Sequence, residues 1–140
     1  MNVLGAIVAG LAGTAVMTVL MYVAPMMGMP KMDIAGMLGT MFVSKRQTAM
    51  ILGMIMHFMA GVIFALVYAL LWSLGLGSAT WWWGLIFGAV HGIIAIIMIP
   101  IIMRMHPREP EMAGGPMAIV GQLMGHLAYG LVVALVYAAF

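Results

Sequence analysis

Residues 49–72 read AMILGMIMHFMAGVIFALVYALLW, an apolar run that contains no Asp, Glu, Lys or Arg. A helix of this length crosses a hydrocarbon core of about 30 Å. Three further runs, 3–24, 81–103 and 117–140, are equally apolar. Only 6% of the 140 residues are charged, whereas a soluble domain carries about 25%. The sequence therefore predicts an all-α protein in which residues 1–140 form a single membrane domain, a bundle of four transmembrane helices.

The positive charges predict how these helices are oriented. All of them lie in the connections after the first and third runs: Lys31, Lys45, Arg46, Arg104 and Arg108. With four spans, these two connections share one side of the membrane, and the positive-inside rule places them in the cytoplasm and both termini outside. We therefore expect a multi-pass protein of a bacterial inner membrane.

The connections carry further signals. Asp33 precedes a stretch with apolar residues at helical spacing, which predicts a short amphipathic helix in the cytoplasmic interface. The connection 73–80 is short, so the second and third spans are expected to be antiparallel neighbours. An interfacial aromatic belt is expected at the outer face, formed by Tyr68, Trp72, Trp81, Trp82, Trp83 and Tyr137.

A repeat relates the second and fourth spans. His57-x-x-x-Gly61-x-x-x-ALVYA recurs as His126-x-x-x-Gly130-x-x-x-ALVYA. The first and third spans match through Gly13 and Pro25 against Gly88 and Pro100. Two spans per unit predict a 2+2 pseudo-repeat whose axis lies along the membrane normal.

Three histidines lie at similar depth in the predicted spans. At about 1.5 Å per residue, His57, His126 and His91 fall within roughly one helical turn of each other, near the midplane. Ionisable groups in such positions are rare and usually functional. We expect the three side chains to point inward. The alternative is that each one only makes a hydrogen bond between helices.

Two ligands suit inward-pointing imidazoles. Haem b would take His57 and His126 as axial ligands, with Gly61 and Gly130 making room for the porphyrin. Copper is the second, because imidazole and thioether ligands together suit Cu(I). The chain has 19 methionines, and those expected near the histidines are Met17, Met21, Met54 and Met124.

The methionines also permit other interpretations. Met17-x-x-x-Met21 resembles the motif of trimeric copper importers, although the rest of that family's pattern is missing here. Methionine is also an adaptable apolar filler. The copper and packing interpretations both stay open on the sequence alone.

Several classes of function lack the residues they need. The chain has no cysteine, and its acids, Asp33, Glu109 and Glu111, all lie in connections. Proton-coupled export through a membrane-embedded carboxylate is therefore not expected. No hydrolase triad or phosphate-binding loop is present, so we do not expect catalysis by this chain alone. The basic residues are too few for nucleic acid.

Four short motifs resemble those of small uncharacterised bacterial four-span membrane proteins, a family whose domain has no known function. The motifs are MGMPKMDI (27–34), HFMAG (57–61), FGAVHG (87–92) and MHP (105–107). The resemblance implies the same four-span architecture and assigns no residue a role.

Two functions follow from the sequence. One is a membrane protein that binds haem b or a soft metal through its histidines, within or beside an electron-transfer or metal-handling system. The other is a non-catalytic accessory subunit of a larger membrane complex, in which the histidines only join helices. Expected partners are the lipid bilayer and either further copies of the chain or a larger complex.

Overall fold

The computed structural model describes residues 1–108 and 114–140, so Glu109 and Glu111 lie outside the described residues. Its helices are α1 (Val3–Val23), α2 (Ile34–Thr40), α3 (Arg46–Ser73), α4 (Trp81–Arg104) and α5 (Pro116–Tyr137). By length and composition α1, α3, α4 and α5 can each cross a membrane. The predicted all-helical class with four spans is confirmed.

Local chemistry sets several helix ends. The Asn2 side chain accepts a hydrogen bond from the Gly5 N–H at 2.9 Å and caps α1. After α1, a short 3-10 turn (Ala24–Met27) contains Pro25 and is closed by Gly28, whose φ of 85° suits glycine. The Asp33 side chain caps α2, as the sequence predicts.

Helix α1 packs against both α3 and α5, and α5 also packs against α4. Although α3 and α4 are consecutive and joined by a short connection, their backbones lie farther apart than those of the packed pairs. Aromatic rings occupy the space between them, with the Tyr68 and Phe87 centroids 5.0 Å apart. The two helices are therefore neighbours through bulky side chains rather than through close backbone contact.

Glycines bring two helix pairs together in equivalent ways. A Cβ at Gly10 would meet the Gly61 carbonyl and Ala65, and a Cβ at Gly84 would meet the Gly130 carbonyl and Ala134. Gly61 corresponds to Gly130 in the sequence repeat, and Ala65 corresponds to Ala134.

These contacts change part of the predicted alignment. By their contacts, Gly10 in α1 is equivalent to Gly84 in α4, and Thr14 is equivalent to Gly88. The sequence alignment instead makes Gly13 equivalent to Gly88. A two-fold axis would also make the α3–α4 contact resemble the α1–α5 contact, and it does not. The predicted axis along the membrane normal stays a prediction.

Helix α2 packs on α3, a contact that the sequence does not predict. Its place in the cytoplasmic interface stays a prediction. Five of its residues are buried: Ile34, Ala35, Gly36, Met37 and Gly39. The packing is close because a Cβ at Gly53 would collide with the Ala35 carbonyl oxygen. An ion pair between Asp33 and Arg46 joins the two helix starts. Amphipathic spacing predicted the helix but not the surface it covers.

The aromatic belt is only partly as expected. Trp81 is 59% exposed and Trp82 44% exposed, as interfacial side chains should be. Tyr68 and Trp72 are instead buried in the helix bundle. Their rings pack with Phe87 in the space between α3 and α4.

Candidate functional site

The helix bundle contains a partly open cavity that all three intramembrane histidines border. Its volume is about 140 Å³, close to the size of an engineered apolar cavity that holds benzene. We call it the histidine cavity. It is lined by Thr14, Met17, Met21, Met32, Ile34, His57, Ala60, Gly61, Phe64, His91, Ala95, Ile99, Gly121, Gln122, His126 and Tyr129.

His126 has a fixed ring orientation. Its Nδ1 lies 2.8 Å from the Gln122 carbonyl oxygen, one turn earlier on α5. Because a carbonyl only accepts, the neutral ring carries its proton on Nδ1 and donates it there. The lone pair is then on Nε2.

The side chain of His91, a residue of α4, lies between α3 and α5. Its Nδ1 is 3.3 Å from the Tyr68 hydroxyl, and its ring stacks on Phe64 with centroids 3.9 Å apart. The rings of His91 and His126 meet edge to face with centroids 4.7 Å apart. The predicted convergence of these two histidines is therefore present.

His57 has a buried ring nitrogen that no described residue pairs. Its Nε2 is buried and makes no hydrogen bond with any described residue, and the same holds for the Gln122 side-chain nitrogen. Both residues line the histidine cavity. Buried polar atoms are normally paired, so these two nitrogens are candidate positions for a ligand beside the cavity.

Among residues 1–108 and 114–140, no three His, Asp or Glu side chains are grouped so as to hold a metal ion. A metal site built only from such ligands is therefore not arranged there. The other donor atoms that border the cavity are thioethers, from Met17, Met21 and Met32.

The predicted methionines fall in different places. Met17 and Met21 line the histidine cavity. Met54 lies beside it, at a side cavity of about 20 Å³ that also borders His57. Met124 is 57% exposed and lies on an outer groove instead. Three of the four predicted thioethers are thus near a histidine.

The two predicted glycines face protein rather than a flat ligand. A Cβ at Gly61 would collide with the Thr14 hydroxyl, and one at Gly130 would collide with the Gly84 carbonyl. These two glycines are therefore used for packing between helices of the same chain. The sequence shows the glycines but not which neighbour covers them.

Some residues of the site were not predicted. The Tyr129 hydroxyl donates to the Gly61 carbonyl and joins α5 to α3. Met32 reaches the cavity from the segment before α2. Asp33 borders the side cavity at His57, so one acid does lie near a histidine. Met32 and Asp33 precede a short helix that the sequence placed at the membrane surface, which concealed their position.

These features define a class, the multi-pass helical membrane protein with a cavity bordered by histidines. The chain itself belongs to a family of unknown function, DUF6789, whose family model matches residues 1–140. No curated protein and no solved structure matches the chain.

Proposed function

We propose that this protein binds a single Cu(I) ion in the histidine cavity, as a non-catalytic component of metal handling in a bacterial inner membrane. One observation carries the proposal. Histidines from three different helices border the same cavity as the thioethers of Met17 and Met21. Imidazole and thioether ligands form a soft set that suits Cu(I).

The surroundings of His126 support a role as a ligand. Metal-ligating histidines usually donate their second ring N–H to a carbonyl, a carboxylate or water, which fixes the ring. The bond from His126 Nδ1 to the Gln122 carbonyl is of this kind. It leaves Nε2 as the ligating atom.

The second imidazole ligand in this proposal is His57. Its Nε2 is buried without a hydrogen bond to a described residue. A neutral ring protonated on Nδ1 would present the Nε2 lone pair to the metal without releasing a proton. With His126 and a thioether from Met17 or Met21, this gives three soft ligands.

The dimensions of the cavity argue against haem b. A volume of about 140 Å³ is below the range of roughly 300–1,000 Å³ that is usual for pockets of drug-sized ligands. The neighbours of Gly61 and Gly130 also occupy the space that a porphyrin would need. Haem b remains the predicted alternative cofactor.

A second candidate function is the accessory subunit, in which the histidines only hold helices together. The hydrogen bond between Tyr68 of α3 and His91 of α4 favours it, because this bond joins two helices whose backbones are not closely packed. Glycine-lined helix faces would also suit docking on a larger complex, but Gly10, Gly61, Gly84 and Gly130 are covered within the chain.

A titration with Cu(I) under anaerobic conditions tests the proposal. Purified protein competes for copper with a coloured Cu(I) chelator, and an absorption spectrum of the same sample tests for haem. We expect about one Cu(I) per chain. His57→Ala and His126→Ala should each weaken binding at least about tenfold, or about 1.4 kcal/mol.

The control removes exposed thioethers elsewhere. Met98→Leu and Met105→Leu change methionines that are 44% and 77% exposed, and they should leave binding unchanged. If neither histidine variant binds copper more weakly while both elute as folded protein, the copper proposal is wrong. Co-purification of a metal-free, colourless chain with a larger complex would then support the accessory subunit.

A further inference from the structure

A second cavity adjoins the histidine cavity. It has a volume of about 220 Å³ and lies between the end of α1, the segment before α2, and α5. We call it the methionine groove because five thioethers border it: Met21, Met27, Met29, Met32 and Met124. Gly121 and Gly125 of α5 also line it.

The two cavities share part of their walls. Met21, Met32 and Gly121 border both the histidine cavity and the methionine groove. Met21 and Met32 also border the side cavity at His57. These two methionines therefore stand between the groove and the histidines.

Gly121 lies where the two cavities meet, and flexible methionine side chains pack against it. A Cβ at this position would lie 3.0 Å from the Met29 methyl and 3.8 Å from the Met32 sulfur. Glycine at this position leaves room for the Met29 methyl to lie against α5, and the Met32 sulfur is at van der Waals distance. Methionine side chains are unbranched and flexible, so they can move aside without a change in the helices.

The mouth of the groove, its solvent-exposed end, lies where α1 ends. Met27, in the 3-10 turn, is 79% exposed, and its neighbour Met26 is 85% exposed. Exposed methionines in this turn give the groove a thioether at its mouth. Lys31 follows in the chain and belongs to the basic end of the molecule.

We propose that the methionine groove is the route by which Cu(I) reaches the histidine cavity. This inference rests on the proposed function. Cu(I) binds first to the exposed thioethers, moves to Met29 and Met32, and is then taken over by the imidazoles of His57 and His126. Each step replaces one soft ligand by another, so copper stays Cu(I) and no proton or electron is transferred.

The test separates the rate of loading from the affinity. The variant Met27→Leu, Met29→Leu, Met124→Leu removes three groove thioethers that do not border the histidine cavity. Because leucine and methionine have similar volumes, the fold should tolerate the change. We expect loading from a coloured Cu(I) chelator, followed by stopped flow, to slow about tenfold with the equilibrium affinity unchanged.

The matched control is Met59→Leu, Met98→Leu, Met105→Leu, which removes three exposed methionines outside the groove. A second arm uses the absence of cysteine from the chain. Met29→Cys gives a single thiol, and its alkylation with N-ethylmaleimide should slow loading, whereas alkylation of Met98→Cys should not.

The outcomes are distinguishable. If the native protein binds copper and neither the groove variant nor alkylation at position 29 slows loading, the route is wrong and the site stands. Equal slowing in the control variant also overturns the route. If the native protein binds no copper, both the site and its route are wrong.

Discussion

His126 illustrates how one backbone contact determines what a side chain can do. Its bond to the Gln122 carbonyl fixes the ring and the position of the proton. The Gln122 side chain, in contrast, has a buried nitrogen without a hydrogen bond to a described residue. The sequence places both residues on one ridge of a span but does not reveal which polar atoms are satisfied.

The buried side-chain nitrogen of Gln122, which no described residue pairs, predicts an unusual effect on stability. Gln122→Met removes a buried amide and keeps the chain length of the residue. Since a buried unsatisfied donor costs about 1–3 kcal/mol, the free energy of unfolding in detergent should be unchanged or rise by about 1 kcal/mol. The exposed Gln47→Met is the control. A clear loss of stability would show that the Gln122 amide is paired.

Tyr129 is expected to behave in the opposite way. Its hydroxyl donates to the Gly61 carbonyl across two helices, and the side chain is buried. Tyr129→Phe should therefore lower the free energy of unfolding by about 1 kcal/mol, within the range measured for hydrogen bonds between membrane helices. Thermal unfolding of Tyr22→Phe, at a tyrosine that is 56% exposed, gives the baseline. Equal melting temperatures for the two variants would contradict the assignment.

At the scale of elements, glycines determine which helices approach closely. Gly10 serves the α1–α3 contact and Gly84 the α4–α5 contact, whereas aromatic rings keep α3 and α4 apart. The histidine cavity is bordered by residues of all four long helices, α1, α3, α4 and α5. Helix α2 partly closes the basic end, where Ile34 borders the cavity.

The α2–α3 contact can be tested with one methyl group. In Gly53→Ala the new Cβ meets the carbonyl oxygen of Ala35, a backbone atom that cannot rotate away. Overpacking of this kind costs about 1–3 kcal/mol, and α2 should become more accessible to limited proteolysis. Gly125→Ala is the matched helical control, because its nearest neighbour is the flexible Met17 methyl at 3.4 Å. Similar proteolysis of both variants would argue against close α2 packing.

At the scale of the whole molecule, the sequence was sufficient for the number and extent of the spans. Long apolar runs such as 49–72 leave a chain few other structures. The similar depths of His57, His91 and His126 along their helices also predicted that they lie close together, and all three border one cavity. The positions of residues in the connections between helices were not predictable, because they follow no helical periodicity. Met32 and Asp33 reach the site because α2 folds back on α3, and no periodicity in the sequence records that tertiary contact.

The orientation of the whole bundle in the membrane can be tested by labelling from one side. The five positive charges lie at one end, which the positive-inside rule assigns to the cytoplasm. In the cysteine-free chain, Ser78→Cys should react with a membrane-impermeant maleimide in intact spheroplasts, and Ser44→Cys only after lysis. Both serines are exposed, so access to reagent is matched. The reverse labelling pattern would invert the orientation. An inverted orientation would also place the mouth of the methionine groove on the side away from the cytoplasm. The cytoplasm is reducing, and Cu(I), the form that the groove thioethers would bind, is stable there.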